Sequence, residues 1–138
     1  MAPVHHIGDV VCAIIERNGR FLIAQRPEGQ SLALKWEFPG GKINDGESAI
    51  SALHRELHEE LGITVTVGRQ LTPVFYAYEA FSLRLVPFLC SLASGEPVLH
   101  EHRALAWITP EMIGAYDFPE ADLPVLEEYR MFRFPGTT

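Results

Sequence analysis

The sequence contains little that would cross-link the chain or anchor it in a membrane. Only two of its 138 residues are cysteines. Cys12 and Cys90 both stand in apolar, strand-like stretches, which favours buried thiols in a reducing environment over a disulfide or a zinc pair. The longest apolar runs, DVVCAII and LVPFLC, fall far short of the roughly 20 residues that a membrane helix needs. The composition therefore predicts a globular protein with no membrane partner.

Positive charge is also scarce, with 11 Lys and Arg against 18 Asp and Glu and a net charge of −7. Binding along a nucleic-acid backbone requires clustered Lys and Arg, so we expect no polymeric nucleic acid as a partner. One small phosphorylated ligand stays compatible with this charge if cations bridge the repulsion. No basic segment precedes an apolar stretch near Met1, so we expect no signal peptide and a cytoplasmic location.

The order of apolar patterns predicts one domain over residues 1–138, with a loose end at 1–7. DVVCAIIER is continuous and β-branched like a buried strand, and the Asn-Gly of RNGR predicts a hairpin to a return strand in RFLIAQR. Residues 27–41 are predicted to form a loop. Further strands are predicted in ITVTVG, in two parts of LTPVFYAYEAFSLRLVPFLCSL, and in RALAWI, with a helical turn after Thr109 and a terminal helix in LPVLEEYRMFRF. This mixture predicts an α/β sandwich with a mixed sheet.

A further helix, predicted from Ser48 to Leu61 and stopped by Gly62 at the C′ position, ends in a crowd of glutamates. Acids there oppose the helix dipole, and a like-charge pair at i,i+4 costs about 0.2–0.5 kcal/mol. A solvated acidic face is one explanation. The other is a site for hard divalent cations, which prefer oxygen ligands and would offset the repulsion. On a helical wheel the apolar stripe comprises Ile50, Leu53, Leu57 and Leu61, and the adjoining face comprises Glu56, Glu59 and Glu60 beside a shelf of Ala49 and Ala52.

A spaced motif surrounds these glutamates. Gly41 is followed after five residues by Glu47, and after seven more by the run RELHEELGI at residues 55–63. This motif resembles the complete Nudix box, with no departure at any fixed position. The stretches WEFPGGK, GEP, HEHRALAW and DFPEADLPVL resemble the MutT-type branch of that family. The resemblance extends from Val10 to about Tyr129 and implies a Nudix α/β/α sandwich.

The resemblance also implies an activity that depends on Mg²⁺ or Mn²⁺. The expected substrates are (deoxy)nucleoside triphosphates, oxidised or non-standard ones such as 8-oxo-dGTP among them. Attack at the β-phosphorus would give a nucleoside monophosphate and pyrophosphate, as in nucleotide pool sanitation and DNA repair. Two alternatives stay open: hydrolysis of a nucleotide sugar or dinucleoside polyphosphate, and a catalytically silent nucleotide-binding module. The preferred base and sugar and the oligomeric state are open as well.

The resemblance assigns roles to the residues of the motif. Arg55, which can also reach Glu59 at i+4, resembles the residue that orients a catalytic carboxylate, and Lys42 resembles the cation that meets the phosphates. Glu47 would tie the loop to the helix, and Gly41 and Gly62 are structural. Either Glu56 or Glu101 is the expected general base. The implied metal ligands are the Gly40 carbonyl and the carboxylates of Glu56, Glu59, Glu60 and Glu101, and the implied catalytic set is Glu56, Glu59, Glu101, Arg55 and Lys42.

Substrate contacts are implied for Arg26, Phe38, Lys42, Tyr78 and Asp122. Phe38 and Tyr78 would lie near the base, and Arg26 would meet sugar or phosphate or else be a surface cation at a strand end. Asp122 matches a base-reading position in relatives resembling CTP pyrophosphohydrolases, but an Asp is also a favoured helix N-cap.

Two aromatic or ionisable features have plainer interpretations. Trp36 is as compatible with a position in the hydrophobic core as with a role in the site. His100 and His102 flank Glu101, but neighbouring side chains of an extended segment point in different directions, so a zinc site is the less favoured interpretation.

Overall fold

The continuous apolar run of the first strand lies at the centre of the sheet, where both faces are covered. Val11, Ala13 and Ile15 contribute to one core, while Cys12 and Ile14 contribute to the other. The computed structural model describes residues 5–133. Its strands are β1 (His5–Arg17), β2 (Arg20–Gln25), β3 (Trp36–Glu37), β4 (Gly40–Lys42), β5 (Thr64–Gln70), β6 (Val74–Ala77), β7 (Phe81–Ser94) and β8 (Ala104–Ile108).

All eight strands join one mixed sheet. The main path runs β3-β2-β1-β7-β5, while β4 pairs with β1, β6 with β7 and β8 with β2. The β1–β7 pair is parallel and the other pairs are antiparallel. The predicted mixed sheet is therefore confirmed.

Two helices cover opposite faces of this sheet. The helix α1 (Ala49–Leu61) packs on one core through Leu53, Leu57 and Leu61. The helix α2 (Leu123–Arg133) packs on the other through Val125 and Leu126. Short 3-10 helices at Pro110–Ala115 and Glu120–Asp122 precede α2. In the described part of the chain, no helix is long and apolar enough to cross a membrane.

Three local predictions are wrong. The loose end expected at residues 1–7 conflicts with β1, in which His5 and His6 already pair with Phe81 and Ser82; residues 1–4 lie outside the described part. The loop expected at 27–41 contains β3 and the start of β4, which are too short to show a periodic pattern. Ile50 is 46% exposed, whereas Ala52 is fully buried. The small alanine lets α1 approach the sheet, so the buried face is rotated toward Ala52 and no alanine shelf borders the acids.

Candidate active site

Both ends of α1 are capped, which holds its glutamates in place. The Ser48 hydroxyl accepts a hydrogen bond from the Ser51 N–H at 3.0 Å. Gly62 adopts the left-handed conformation at φ 67°, and its N–H donates to the His58 carbonyl at 3.0 Å. A left-handed residue at this position satisfies carbonyls that a helix end would leave unpaired. The boundaries predicted for this helix are confirmed.

Arg55 links three parts of the motif. Its Nε and Nη2 donate to the Glu47 carboxylate at 2.8 and 2.9 Å, and its Nη1 donates to Glu56 Oε1 at 2.7 Å. Nη2 also reaches the Lys42 carbonyl at 3.0 Å. The Glu59 carboxylate, which the i+4 spacing predicted as a partner, lies farther away at 3.5 Å. Arg55 therefore binds the Gly40–Glu47 segment to the helix and restrains Glu56.

The three glutamates of α1 lie in very different environments. Glu59 has 54% of its side chain exposed, whereas Glu56 has 16% exposed and is held by Arg55. Burial raises the pKa of Glu60 to about 9, with further contributions from the nearby Glu37 and Glu56 carboxylates. The Gly40 N–H donates to Glu60 Oε1 at 3.2 Å and opposes that rise in pKa. Burial also raises the pKa of Glu56, against the influence of Arg55.

The paired glycines make room for these carboxylates. A Cβ on Gly40 would lie 2.0 Å from the Val11 carbonyl oxygen, so only glycine fits against β1 there. A Cβ on Gly41 would lie 2.3 Å from the Glu56 carboxyl carbon. The first glycine therefore permits β4 to pair with β1, and the second admits the Glu56 carboxylate.

Asp122 lies at the other end of the site. The residue is 7% exposed, and its Oδ2 has no hydrogen-bond partner among the described residues. Burial raises the pKa of Asp122 well above its usual range, and Glu37 adds to this effect, while the Phe38 N–H and Arg26 oppose it. Asp122 stands directly before α2, and it also lines the cavity described below.

The aromatic residues have separate positions. The Tyr78 hydroxyl accepts a hydrogen bond from the Ala121 N–H at 2.8 Å, which fixes the turn that carries Asp122. Phe38 is 4% exposed and packs near Phe118. Trp36 contacts Tyr116 edge to face at 5.0 Å, at the margin of the core, as its plainer interpretation predicted.

One cavity of about 410 Å³ joins the two ends. Glu47, Arg55 and Gly62, which had structural or supporting roles in the prediction, do not line it. The predicted site residues that do line it are Arg26, Phe38, Gly40, Gly41, Lys42, Glu56, Glu59, Glu60, Tyr78, Glu101 and Asp122.

Sequence reasoning missed the contribution of Glu37, which also lines this cavity. Its Oε1 accepts from Arg26 Nη1 at 3.0 Å and its Oε2 contacts His102 Nε2 at 2.9 Å. Arg26 is thereby tied to the cavity wall, and its Nε donates to the Ser31 carbonyl at 2.9 Å. His100 is separate from His102 and contacts the Glu59 carbonyl at 2.9 Å. The only sequence signal for Glu37 was an acid between two aromatic residues.

The donor atoms suit a hard cation although the side chains are not assembled around one. Within residues 5–133, no group of three His, Cys, Asp or Glu side chains is arranged as a ready metal site. Glu56 instead contacts Arg55, and Glu60 contacts the Gly40 N–H. The candidate ligands are all oxygens, and the pKa of Glu60 is raised mainly by burial and further by repulsion from the Glu37, Glu56 and Glu101 carboxylates. A divalent cation bound by oxygen ligands would relieve that repulsion.

Comparisons with known proteins agree with this arrangement. The family profile for the NUDIX domain matches residues 10–128. The CTP pyrophosphohydrolase of Escherichia coli strain K12 is 42% identical over 125 residues, which cover 91% of this chain and 93% of that relative. The 8-oxo-dGTP diphosphatase of Haemophilus influenzae is 36% identical over 119 residues, covering 84% and 87%. The crystal structure of a MutT protein from Methanosarcina mazei Go1 has a TM-score of 0.84 at 27% identity and covers 97% of this chain and 99% of its own.

Proposed function

This chain belongs to the MutT-type branch of the Nudix family of pyrophosphohydrolases, and we propose that its substrates are (deoxy)nucleoside triphosphates. Oxidised or non-standard nucleotides such as 8-oxo-dGTP are included. The products would be a nucleoside monophosphate and pyrophosphate. The related 8-oxo-dGTP diphosphatase and CTP pyrophosphohydrolase support this substrate class.

The single observation that carries the proposal is the polarity of the cavity. One end has Lys42 and the carboxylates of Glu56, Glu59, Glu60 and Glu101. The other end has Phe38, Tyr78 and the unpartnered Asp122 oxygen. A molecule with a polyphosphate at one end and a hydrogen-bonding aromatic base at the other matches both ends at once.

Nudix hydrolases generally need a divalent metal ion, and we propose Mg²⁺ or Mn²⁺ here. The Gly40 carbonyl and the carboxylates of Glu56, Glu59, Glu60 and Glu101 would hold it. A bound divalent cation lowers the pKa of water and offsets charge on phosphate oxygens. Lys42 would meet the polyphosphate and stabilise the charge that develops in the transition state. Arg55 would keep Glu56 oriented, and either Glu56 or Glu101 would accept the proton of the attacking water.

At the base end, Phe38 and Tyr78 would contact the ring, and Asp122 would read its edge. Arg26 would reach the nucleotide only from the position set by Glu37 and Ser31. Removal of damaged nucleotides before polymerisation would fit the cytoplasmic location predicted from the sequence.

The decisive experiment is a panel of nucleoside triphosphates, a nucleotide sugar and a dinucleoside polyphosphate, each assayed with Mg²⁺ and with Mn²⁺. The expected result is pyrophosphate release from triphosphates, with kcat/KM highest for an oxidised or non-standard base. In ¹⁸O-labelled water the label should appear in pyrophosphate. Orthophosphate as the first product, or turnover confined to the other two classes, would contradict the proposal.

A further inference from the structure

A buried histidine supports the cavity wall from behind. His102 has 4% of its side chain exposed and is absent from the cavity lining, yet its Nε2 lies 2.9 Å from Glu37 Oε2. The tautomer with the proton on His102 Nε2 donates to Glu37 Oε2, and it suits a carboxylate that only accepts hydrogen bonds. His102 Nδ1 is buried and has no partner among the described residues. The Glu37 contact is therefore the interaction that this buried ring makes with the site.

Arg26 and His102 hold the Glu37 carboxylate from two sides, and the sheet positions all three residues. The other oxygen of its carboxylate accepts from Arg26 at 3.0 Å. Glu37 is paired with Ala24 on β2, and β8, which begins two residues after His102, pairs with the opposite edge of β2. Only 19% of the Glu37 side chain is exposed, and Glu37 lines the cavity.

The location of Glu37 relates it to the middle of a bound nucleotide. Glu37 directly precedes Phe38 at the base end and stands three residues before Gly40, whose N–H contacts Glu60 at the acidic end; Glu37, Phe38 and Gly40 all line the same cavity. In a nucleoside triphosphate bound as proposed above, the sugar lies between these ends. A carboxylate oxygen has a second lone pair, so Glu37 can accept one more hydrogen bond while Arg26 and His102 hold it.

We propose that His102 is a positioning residue that holds Glu37 against the sugar of the bound nucleotide, where Glu37 accepts a hydrogen bond from a sugar hydroxyl. The proposal rests on the proposed function. Sugar selectivity would then depend on Glu37 and His102, which lie outside the Nudix box. His102, the second histidine of the HEH run, would act by positioning Glu37 and not by binding a metal.

The test compares CTP, dCTP and 2′,3′-dideoxy-CTP, and the three matching guanine nucleotides, in wild type and in His102 variants. Wild type should lose at least fivefold in kcat/KM when the contacted hydroxyl is removed. In His102→Leu that loss should shrink below twofold, with KM raised at least fivefold and kcat changed less than twofold. His102→Gln, whose amide can replace Nε2, should restore the selectivity, whereas the shorter His102→Asn should not. His54→Leu, on the exposed face of α1, is the matched control.

Each outcome decides the proposal. It is overturned if wild type shows no hydroxyl preference, if His102→Leu retains the preference, or if the Gln and Asn variants behave alike. Should His102→Leu fail to fold by circular dichroism, the Gln and Asn pair and Glu37→Leu decide by the same criteria, since Glu37→Leu has no acceptor for the hydroxyl and should also lose the preference. If wild type hydrolyses no triphosphate, the proposed function itself is wrong. If wild type is active but its sugar preference does not change in the His102 variants, only this inference is wrong.

Discussion

Three glutamates of α1 have the same chemistry and different surroundings. That these glutamates share one face of a helix could be predicted from the sequence, because the motif and the helical period are local features. The protonation of Glu60 could not, because it depends on burial and on contacts with Glu37 and the Gly40 N–H that form only in the folded chain. The repulsion expected between carboxylates at the helix end is partly offset by Arg55, which contacts Glu56 and Glu47. No such cation offsets it at Glu60 among the described residues.

Glu60→Gln should stabilise the metal-free protein at alkaline pH. The pKa of Glu60 rises from its ordinary value of 4.5 to about 9 in the fold, so the folded state binds more protons than the unfolded state between these values. Its contribution to stability is complete below pH 4.5 and is lost as pH rises toward 9. The variant removes this loss, so its free energy of unfolding in EDTA at pH 8 should exceed that of wild type by on the order of 2 kcal/mol.

Urea unfolding at pH 5 and pH 8 measures this difference. Glu59→Gln is the matched control, since its exposed carboxylate should leave stability nearly unchanged. An equal gain at both pH values would show that Glu60 is ionised throughout.

Asp122 should make base preference depend on pH. A protonated Asp122 both donates and accepts, which suits the cytosine edge of one donor beside the N3 acceptor; an ionised Asp122 only accepts, which suits the two adjacent donors of guanine. Because burial raises the pKa of Asp122, the ratio of kcat/KM for CTP over GTP should fall as pH rises through that pKa. Asp122→Asn, which keeps a donor and an acceptor at every pH, should hold the ratio constant.

Steady-state kinetics on both substrates across pH check this prediction. Asp122→Ala should lower kcat/KM by about ten- to a hundredfold, because a buried base edge loses its partner. Asp117→Asn is the control, as that carboxylate is exposed and pairs with Lys35. If wild type and Asp122→Asn share one pH profile, the base is read elsewhere.

At the scale of elements, long patterned segments could be predicted and short ones could not. α1 shows a helical period over 13 residues, and β2 and β7 contain continuous apolar runs. β3 has two residues and β4 three, so both are defined by pairing with β2 and β1 rather than by their own sequence. The helical wheel placed Ile50 in the core. A wheel gives the direction of each side chain around the helix axis, but it does not show which turns of α1 pack against the sheet.

Neighbouring glycines in β4 should respond differently to alanine. In Gly40→Ala the new Cβ meets the backbone of Val11, which cannot move without breaking the β1–β4 pairing, so unfolding should become easier by on the order of 2–4 kcal/mol. In Gly41→Ala the Cβ meets only the end of the Glu56 side chain, which can move away. Stability should change by less than about 1 kcal/mol, whereas kcat should fall by about thirtyfold or more if Glu56 must lie there.

Thermal melts and Mg²⁺-dependent kinetics on both variants separate these effects. Gly46→Ala is a useful comparison, because a Cβ there meets nothing within 4 Å although φ is 80°. Full activity in Gly41→Ala would show that Glu56 works from another position.

At the scale of the whole molecule, the cavity is assembled from segments that are distant in sequence. The sheet brings together segments that are far apart in sequence: the strand of Lys42, the helix of Glu60, the loops of Tyr78 and Glu101 and the short helix of Asp122. The family, the fold class and the enzyme class were predicted from the motif and are confirmed by the comparisons. The contact between His102 and Glu37 could not be predicted, since no local pattern relates residues 65 positions apart.

Divalent cations should stabilise the whole molecule, and more so at pH 8 than at pH 5. The chain has a net charge of −7, and its acidic cavity end joins carboxylates that repel one another in the fold. A ligand at a hundred times its Kd adds about 2.7 kcal/mol, which for a chain of this size raises Tm by about 5–10 °C. At pH 5 protons compete for Glu60, so the rise should be smaller. Differential scanning fluorimetry with MgCl₂ or MnCl₂, against NaCl at equal ionic strength, measures it. The effect should be much reduced in Glu60→Gln, and an equal rise with NaCl or in that variant would mean that general screening, not a bound cation, relieves the repulsion.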